Sequence, residues 1–199
     1  MAYLNLNPKP KQDTRMLAIG LAVLAAALLV VAGFSRTWLA RPSPEVGFGP
    51  LGCTKCSLPW GTEDLSNSAF VEKMREMAPA AAKEISSAFV PMGYATFGLS
   101  LLGAAALLVA AGLALGRRRP ALPMSPASVA LLGLLGALLA GCVFVATKPG
   151  GPGFVGVSLG FWIFSIGNIV GIAAGQMLAK QIRPVDPDLL ADSMNPDAY

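Results

Sequence analysis

Two cysteines three positions apart, Cys53 and Cys56, stand in the longest polar interval of an otherwise strongly apolar chain. That spacing supports three chemistries. A structural disulfide would pin a turn-rich segment in an oxidising compartment. A redox-active pair would use a small ring and a depressed thiol pKa, helped by Lys55 between the two sulfurs. Metal capture would need further soft ligands, for which Met74 and Met77 are the nearby candidates. Cys142 is solitary. The 199 residues include no histidine, which removes a haem axial His, a His-bearing zinc site and a His general base. The glycines lie in apolar runs or proline-rich turns and never end in Lys-Ser/Thr, so no phosphate loop is present. The expectation is a non-enzymatic protein with no catalytic residue, no metal and no cofactor.

The elements that must position the cysteine pair are membrane spans. With 54% hydrophobic and 13% charged residues, the composition is that of an integral membrane protein. Four uncharged apolar runs, residues 16–34, 92–116, 129–146 and 154–179, each hold roughly 18 to 26 residues, enough to cross about 30 Å of hydrocarbon at about 1.5 Å per residue. They are continuously apolar, whereas barrel strands alternate every second residue. The first run exceeds the usual signal-peptide core of about 7 to 15 residues and is read as a span. The fold class expected is an all-α membrane protein: a four-transmembrane-helix bundle with a long, partly structured first extracytoplasmic loop.

Positive charge beside the short connections sets orientation. Lys9, Lys11 and Arg15 precede the first span, Arg117, Arg118 and Arg119 follow the second, and Lys180 and Arg183 follow the fourth. All three clusters fall on one side, so both termini are expected in the cytoplasm of a plasma or bacterial inner membrane. Residues 1–15 form the N-terminal tail, 117–128 a basic turn, and 180–199 an acidic tail rich in Asp and Pro. Residues 35–91 and 147–153 form the long and short outer loops. The net charge of +4 reports this orientation, and nucleic acid is not an expected partner.

In the long loop, Trp38 and Trp60 are read as interface anchors at headgroup depth. Pro42, Pro44, Gly47, Gly49, Pro50 and Gly52 exclude a persistent helix while permitting turns or short strands. Thr62 ahead of Glu63 and Asp64 resembles a helix N-cap with acids in the first turn. Phe70, Met74, Met77, Ala81 and Ile85 then recur at helical spacing, an amphipathic helix that Pro79 kinks and Pro91 kinks or breaks. Small residues mark helix-packing faces in the last two spans: Gly133, Ala137 and Gly141, then Gly167, Gly171 and Gly175. They serve packing inside the bundle or a homo-oligomer interface. No span carries a deep ionisable group, which argues against a proton relay or a coupled carrier. Asn168 and Gln176 are the buried polar candidates, for interhelical hydrogen bonds or for a quinone or headgroup site.

Trp38, the segment Gly49-Pro50-Leu51, then Cys53 and Cys56, in the first outer loop of a four-span chain with a short second loop, resemble the claudin and peripheral-myelin group. The hallmark of that group is a Trp, then Gly-Leu-Trp, then two cysteines in this loop. The resemblance lies in topology more than in motif, and it implies adhesion, barrier formation or an accessory-subunit role. A second resemblance is to the quinone-linked disulfide-generating membrane proteins of bacteria, which have four spans and an outer Cys-x-x-Cys. Their second cysteine pair has no counterpart here. The reading is therefore a scaffold, adhesion protein or accessory subunit acting through its first outer loop on a membrane-protein partner or on its own copies within the lipid bilayer. A thiol-disulfide oxidoreductase using Cys53 and Cys56 is the alternative. In intact cells, a membrane-impermeant thiol label is expected to reach the Ser66→Cys variant and miss the Ser125→Cys variant, and the reverse pattern would invert the topology.

Overall fold

The computed structural model describes residues 14–42, 45–58, 61–116, 124–149 and 155–181. The elements run α1 (Thr14–Phe34), β1 (Leu39–Pro42), β2 (Glu45–Phe48), β3 (Gly52–Leu58), β4 (Gly61–Ser66), α2 (Asn67–Met77), α3 (Pro79–Ala82), α4 (Phe89–Leu115), α5 (Pro126–Ala146), β5 (Gly156–Val157) and α6 (Leu159–Gln181). Helices α1, α4, α5 and α6 are each long and apolar enough to cross a membrane. Trp60, residues 117–123 of the basic turn, residues 150–153 of the short loop and the tails 1–13 and 182–199 lie outside the described residues.

The chain is mostly helical but not all-α. A five-stranded antiparallel sheet, ordered β4-β3-β2-β1-β5, sits at one end of the helices. Four of its strands come from the connection between α1 and α4, and the fifth from the connection between α5 and α6. The proline and glycine punctuation that forbids helix here goes with short strands of four to seven residues. The inward side chains Leu39, Val46, Phe48, Cys53 and Cys56 are all buried, so the sheet rests one face on the helix ends.

The helix expected to start at Thr62 starts at Asn67, and Thr62, Glu63 and Asp64 belong to β4. The Ser66 hydroxyl is the cap, accepting from the Ala69 N–H at 3.2 Å. Pro79 separates two helices by opening α3, where its missing N–H costs nothing. Pro91 likewise falls in the first turn of α4, which continues through it.

Within the bundle α4 packs on α5 and α1 on α6. The small residues named above face the interior. A Cβ on Gly133 would lie 3.2 Å from the Gly103 Cα, so α4 and α5 meet backbone to backbone there. Gly141 sits against the Phe164 ring, Gly167 against Leu28 and Leu29, Gly171 against Leu134 and Leu107, and Gly175 against Leu131; Ala137 is fully buried. Gly133→Leu is expected to destabilise the purified protein by about 3 kcal/mol through overpacking. Gly112, whose Cβ would meet nothing within 4 Å, supplies the control: Gly112→Leu should leave the thermal midpoint in detergent unchanged.

Candidate functional site

The chain leaving α1 turns back over the helix ends, which drives Trp38 inward instead of toward headgroups. Trp38 is 0% exposed, correcting the expectation of an interface anchor. An indole N–H buried in apolar surroundings needs an acceptor, and Trp38 Nε1 donates to the Ala32 carbonyl at 2.7 Å, a last-turn acceptor of α1. The ring packs on Phe164 with centroids 4.4 Å apart and on Phe144 and Phe161 at 6.0 and 5.8 Å. Phe144 stacks on Phe89 at 4.9 Å, Phe89 meets Phe48 at 6.1 Å, and Phe48 meets Phe70 at 5.1 Å. A continuous aromatic seam thus joins α5 and α6 to the sheet and to α2.

Above that seam lies the cysteine pair. Both cysteines belong to β3, at disulfide distance with Cα atoms 6.0 Å apart, and both are 0% exposed. Pairing shifts by one residue between Cys53↔Leu65 and Cys56↔Glu63, so Thr54 and Lys55 oppose Asp64 alone, a β-bulge. Lys55 takes a left-handed conformation, φ 49°. The bulge puts both sulfurs on the buried face and frees the Lys55 N–H from the ladder. Asp64 takes it up, its Oδ1 accepting from the Lys55 N–H at 2.9 Å and the Thr54 hydroxyl at 2.8 Å. The other oxygen of Asp64 pairs with Arg36 at 2.9 Å, and Lys55 Nζ pairs with Glu45.

Beside the bulge, Thr37, Ala40, Glu45, Gly47, Thr54 and Lys55 help line a groove of about 260 Å³ on the sheet. Charged side chains, Glu45 and Lys55, flank its small and uncharged residues. The arrangement can recognise another surface by shape and charge. Thiol exchange would first have to expose the sulfurs.

Sequence reasoning missed Asn67. Its backbone N–H donates to Leu51 O at 3.4 Å and its Nδ2 to Gly49 O and Pro50 O, both at 2.9 Å. The β2–β3 turn is thereby clasped to the start of α2. Gly93 lets this turn seat on α4, since a Cβ there would lie 2.5 Å from Pro50 O. The Ser66-Asn67 pair was the available signal, obscured by the cap-like Thr62.

Asn168 is fully buried and donates to Phe164 O at 2.9 Å within its own helix. Gln176 is exposed, against the expectation of a second buried amide. Eight residues on, at about 100° per residue, it has rotated about 80° off the buried stripe. The two amides therefore build no common site. Cys142 is a free, exposed thiol on α5. Met74 lies beside the core that covers the cysteines, and no group of three or more His, Cys, Asp or Glu residues able to hold a metal occurs among the described residues. No protein-family model matches the chain, and no curated protein matches it.

The bulge carboxylates make the sheet acid-sensitive. The Lys55 N–H, then the Thr54 hydroxyl, and more weakly the Arg36 and Lys55 charges, hold Asp64 below the usual carboxylate range. Hydrogen bonding and then charge from Lys55 lower Glu45. A carboxyl with a depressed folded-state pKa stabilises the fold above its unfolded-state value, and that stabilisation is lost as pH falls through the folded value. Thermal stability is expected to drop between about pH 5 and about pH 3. The Glu45→Gln, Asp64→Asn double variant should be less stable near neutrality and show a flatter acid limb, read from unfolding midpoints across that range.

Proposed function

We propose that this is a non-enzymatic integral membrane protein with both termini in the cytoplasm, which presents its sheet outside the cytoplasm as a contact surface for a membrane-protein partner or another copy of itself. The observation that carries this reading is the contrast at β3. The sulfurs of Cys53 and Cys56 are sealed at 0% exposure, while the charged side chains of the same bulge lie open, Lys55 58% and Asp64 56% exposed. A sealed disulfide holds a shape, and the exposed charges around the groove offer specificity to a partner. Four spans with a long first loop and a short second one, and Trp38 leading directly into the sheet that holds the cysteines, also support an adhesion or accessory role like that of the claudin and peripheral-myelin group.

Photocrosslinking in intact cells tests the proposal. A photoreactive residue at Thr54 or Ala40 is expected to give a discrete protein adduct, which Lys55→Glu abolishes, and one at the helix-face position Leu132 is expected not to give it. Acid-quenched alkylation should find Cys53 and Cys56 fully oxidised. A mixed disulfide trapped by Cys56→Ser, without a groove adduct, would overturn this reading in favour of an oxidoreductase.

A further inference from the structure

Helix α4 holds 27 residues against 21 in α1, and their relative level is fixed by contact. Phe34, the last residue of α1, packs edge-on against Phe97, with ring centroids 5.2 Å apart. The residues of α4 before Phe97 therefore rise past the end of α1, placing Tyr94 about 5 Å and Val90 about 10 Å beyond it at about 1.5 Å per residue. The headgroup layer occupies about 5 to 8 Å on each side of the hydrocarbon. With the apolar run of α1 ending at Phe34, this rise carries the first two turns of α4 through that layer.

At this level a cleft of about 300 Å³ opens between α2 and the start of α4. Its floor is apolar, from Val71, Ile85 and Val90, and its polar groups are Arg75 and the hydroxyls of Ser68, Ser86 and Ser87. Arg75 is the one charged side chain in the lining, and it makes no ion pair among the described residues. The Ser68 hydroxyl lies 3.4 Å from the Tyr94 hydroxyl, so the polar wall continues down onto α4. Below it that helix turns an open face outward: Tyr94 and Leu102 are 43% and 49% exposed, and a Cβ on Gly98 would meet nothing within 4 Å.

We propose that this cleft binds the phosphate of an anionic phospholipid, with an acyl chain lying along the Tyr94, Gly98 and Leu102 face of α4. A guanidinium with unused donors and three hydroxyls match the acceptor-only oxygens of a phosphodiester. The apolar floor suits the glycerol and upper chain, and the bare Gly98 leaves a channel where a side chain would otherwise stand. Lipid held here would brace α2 against α4 beneath the sheet. The inference rests on the chain spanning a bilayer but not on the groove contacting a partner, so its failure leaves the crosslinking result intact.

Native mass spectrometry of the full chain released from nanodiscs of equal phosphatidylglycerol and phosphatidylcholine tests this. The wild type is expected to retain one phosphatidylglycerol in preference to phosphatidylcholine. Arg75→Gln should reduce that retention about tenfold, the scale of one charge-assisted hydrogen bond. Ser86→Ala with Ser87→Ala should reduce it less, and Arg75→Lys should preserve part of it. Lys83→Gln, a cation outside the cleft, should change nothing. Equal retention of the two lipids, an equal loss with Lys83→Gln, or displacement by millimolar inorganic phosphate would each overturn the assignment; the last would make free phosphate the ligand.

Discussion

The indole of Trp38 is the fixed point between two layers that could not otherwise share a core. Its N–H caps a carbonyl of α1, its ring fills the space between α5 and α6, and its backbone joins the sheet on both sides, donating to Phe48 O at 2.9 Å and accepting from Ser158 N at 2.8 Å. Two- to seven-residue strands bury too little to stand alone in water. Phe48, Phe89 and Phe144 extend the indole's contacts, giving the sheet a floor borrowed from the helices. Close approach is built in at Gly160, where a Cβ would come within 2.7 Å of both the Trp38 ring and the Ser35 hydroxyl.

The helices were legible in the sequence because a span has to be apolar on every side. Bundle-facing and lipid-facing residues are both hydrophobic, so a run such as residues 129–146 declares itself without periodicity. Their ends were less legible. Phe89 and Pro126 extend α4 and α5 beyond the apolar runs because capping and aromatic packing decide the ends. The faces were legible only where residue size carried the signal: Gly133 and Gly171 are small because a neighbour is close, whereas the amide of Gln176 said nothing about which way it points.

The sheet was hidden for a different reason. Glu45-Val-Gly-Phe and Gly61-Thr-Glu-Asp-Leu-Ser show little of the β-branched alternation that marks a strand, and their partners are set by tertiary context. Thr62, Glu63 and Asp64 misled because acids after a threonine serve two purposes equally well. At a helix start they oppose the dipole, and here Asp64 replaces a ladder bond at the bulge. The Cys-x-x-Cys spacing had the same ambiguity. It permits a reactive ring, but the bulge turns both sulfurs inward, and burial rather than spacing decides what a thiol pair can reach.

Two features of the sheet bear on how a partner would approach it. Its edges are β4 and β5, and an open edge invites another chain to add as a strand. At one edge β4 carries Glu63 and Asp64, and Lys73 of α2 reaches over to bond Glu63 at 2.7 Å. At the other, β5 is only two residues long. Charge, a covering helix and shortness are the usual protections against edge pairing. The exposed face is different: Ala40 lines its groove with a small side chain, and Lys55, Glu45 and Arg36 surround it with charge of both signs. A partner that docks on this face meets shape and charge together, and one that attempts an edge meets the charges of β4 or a strand of only two residues.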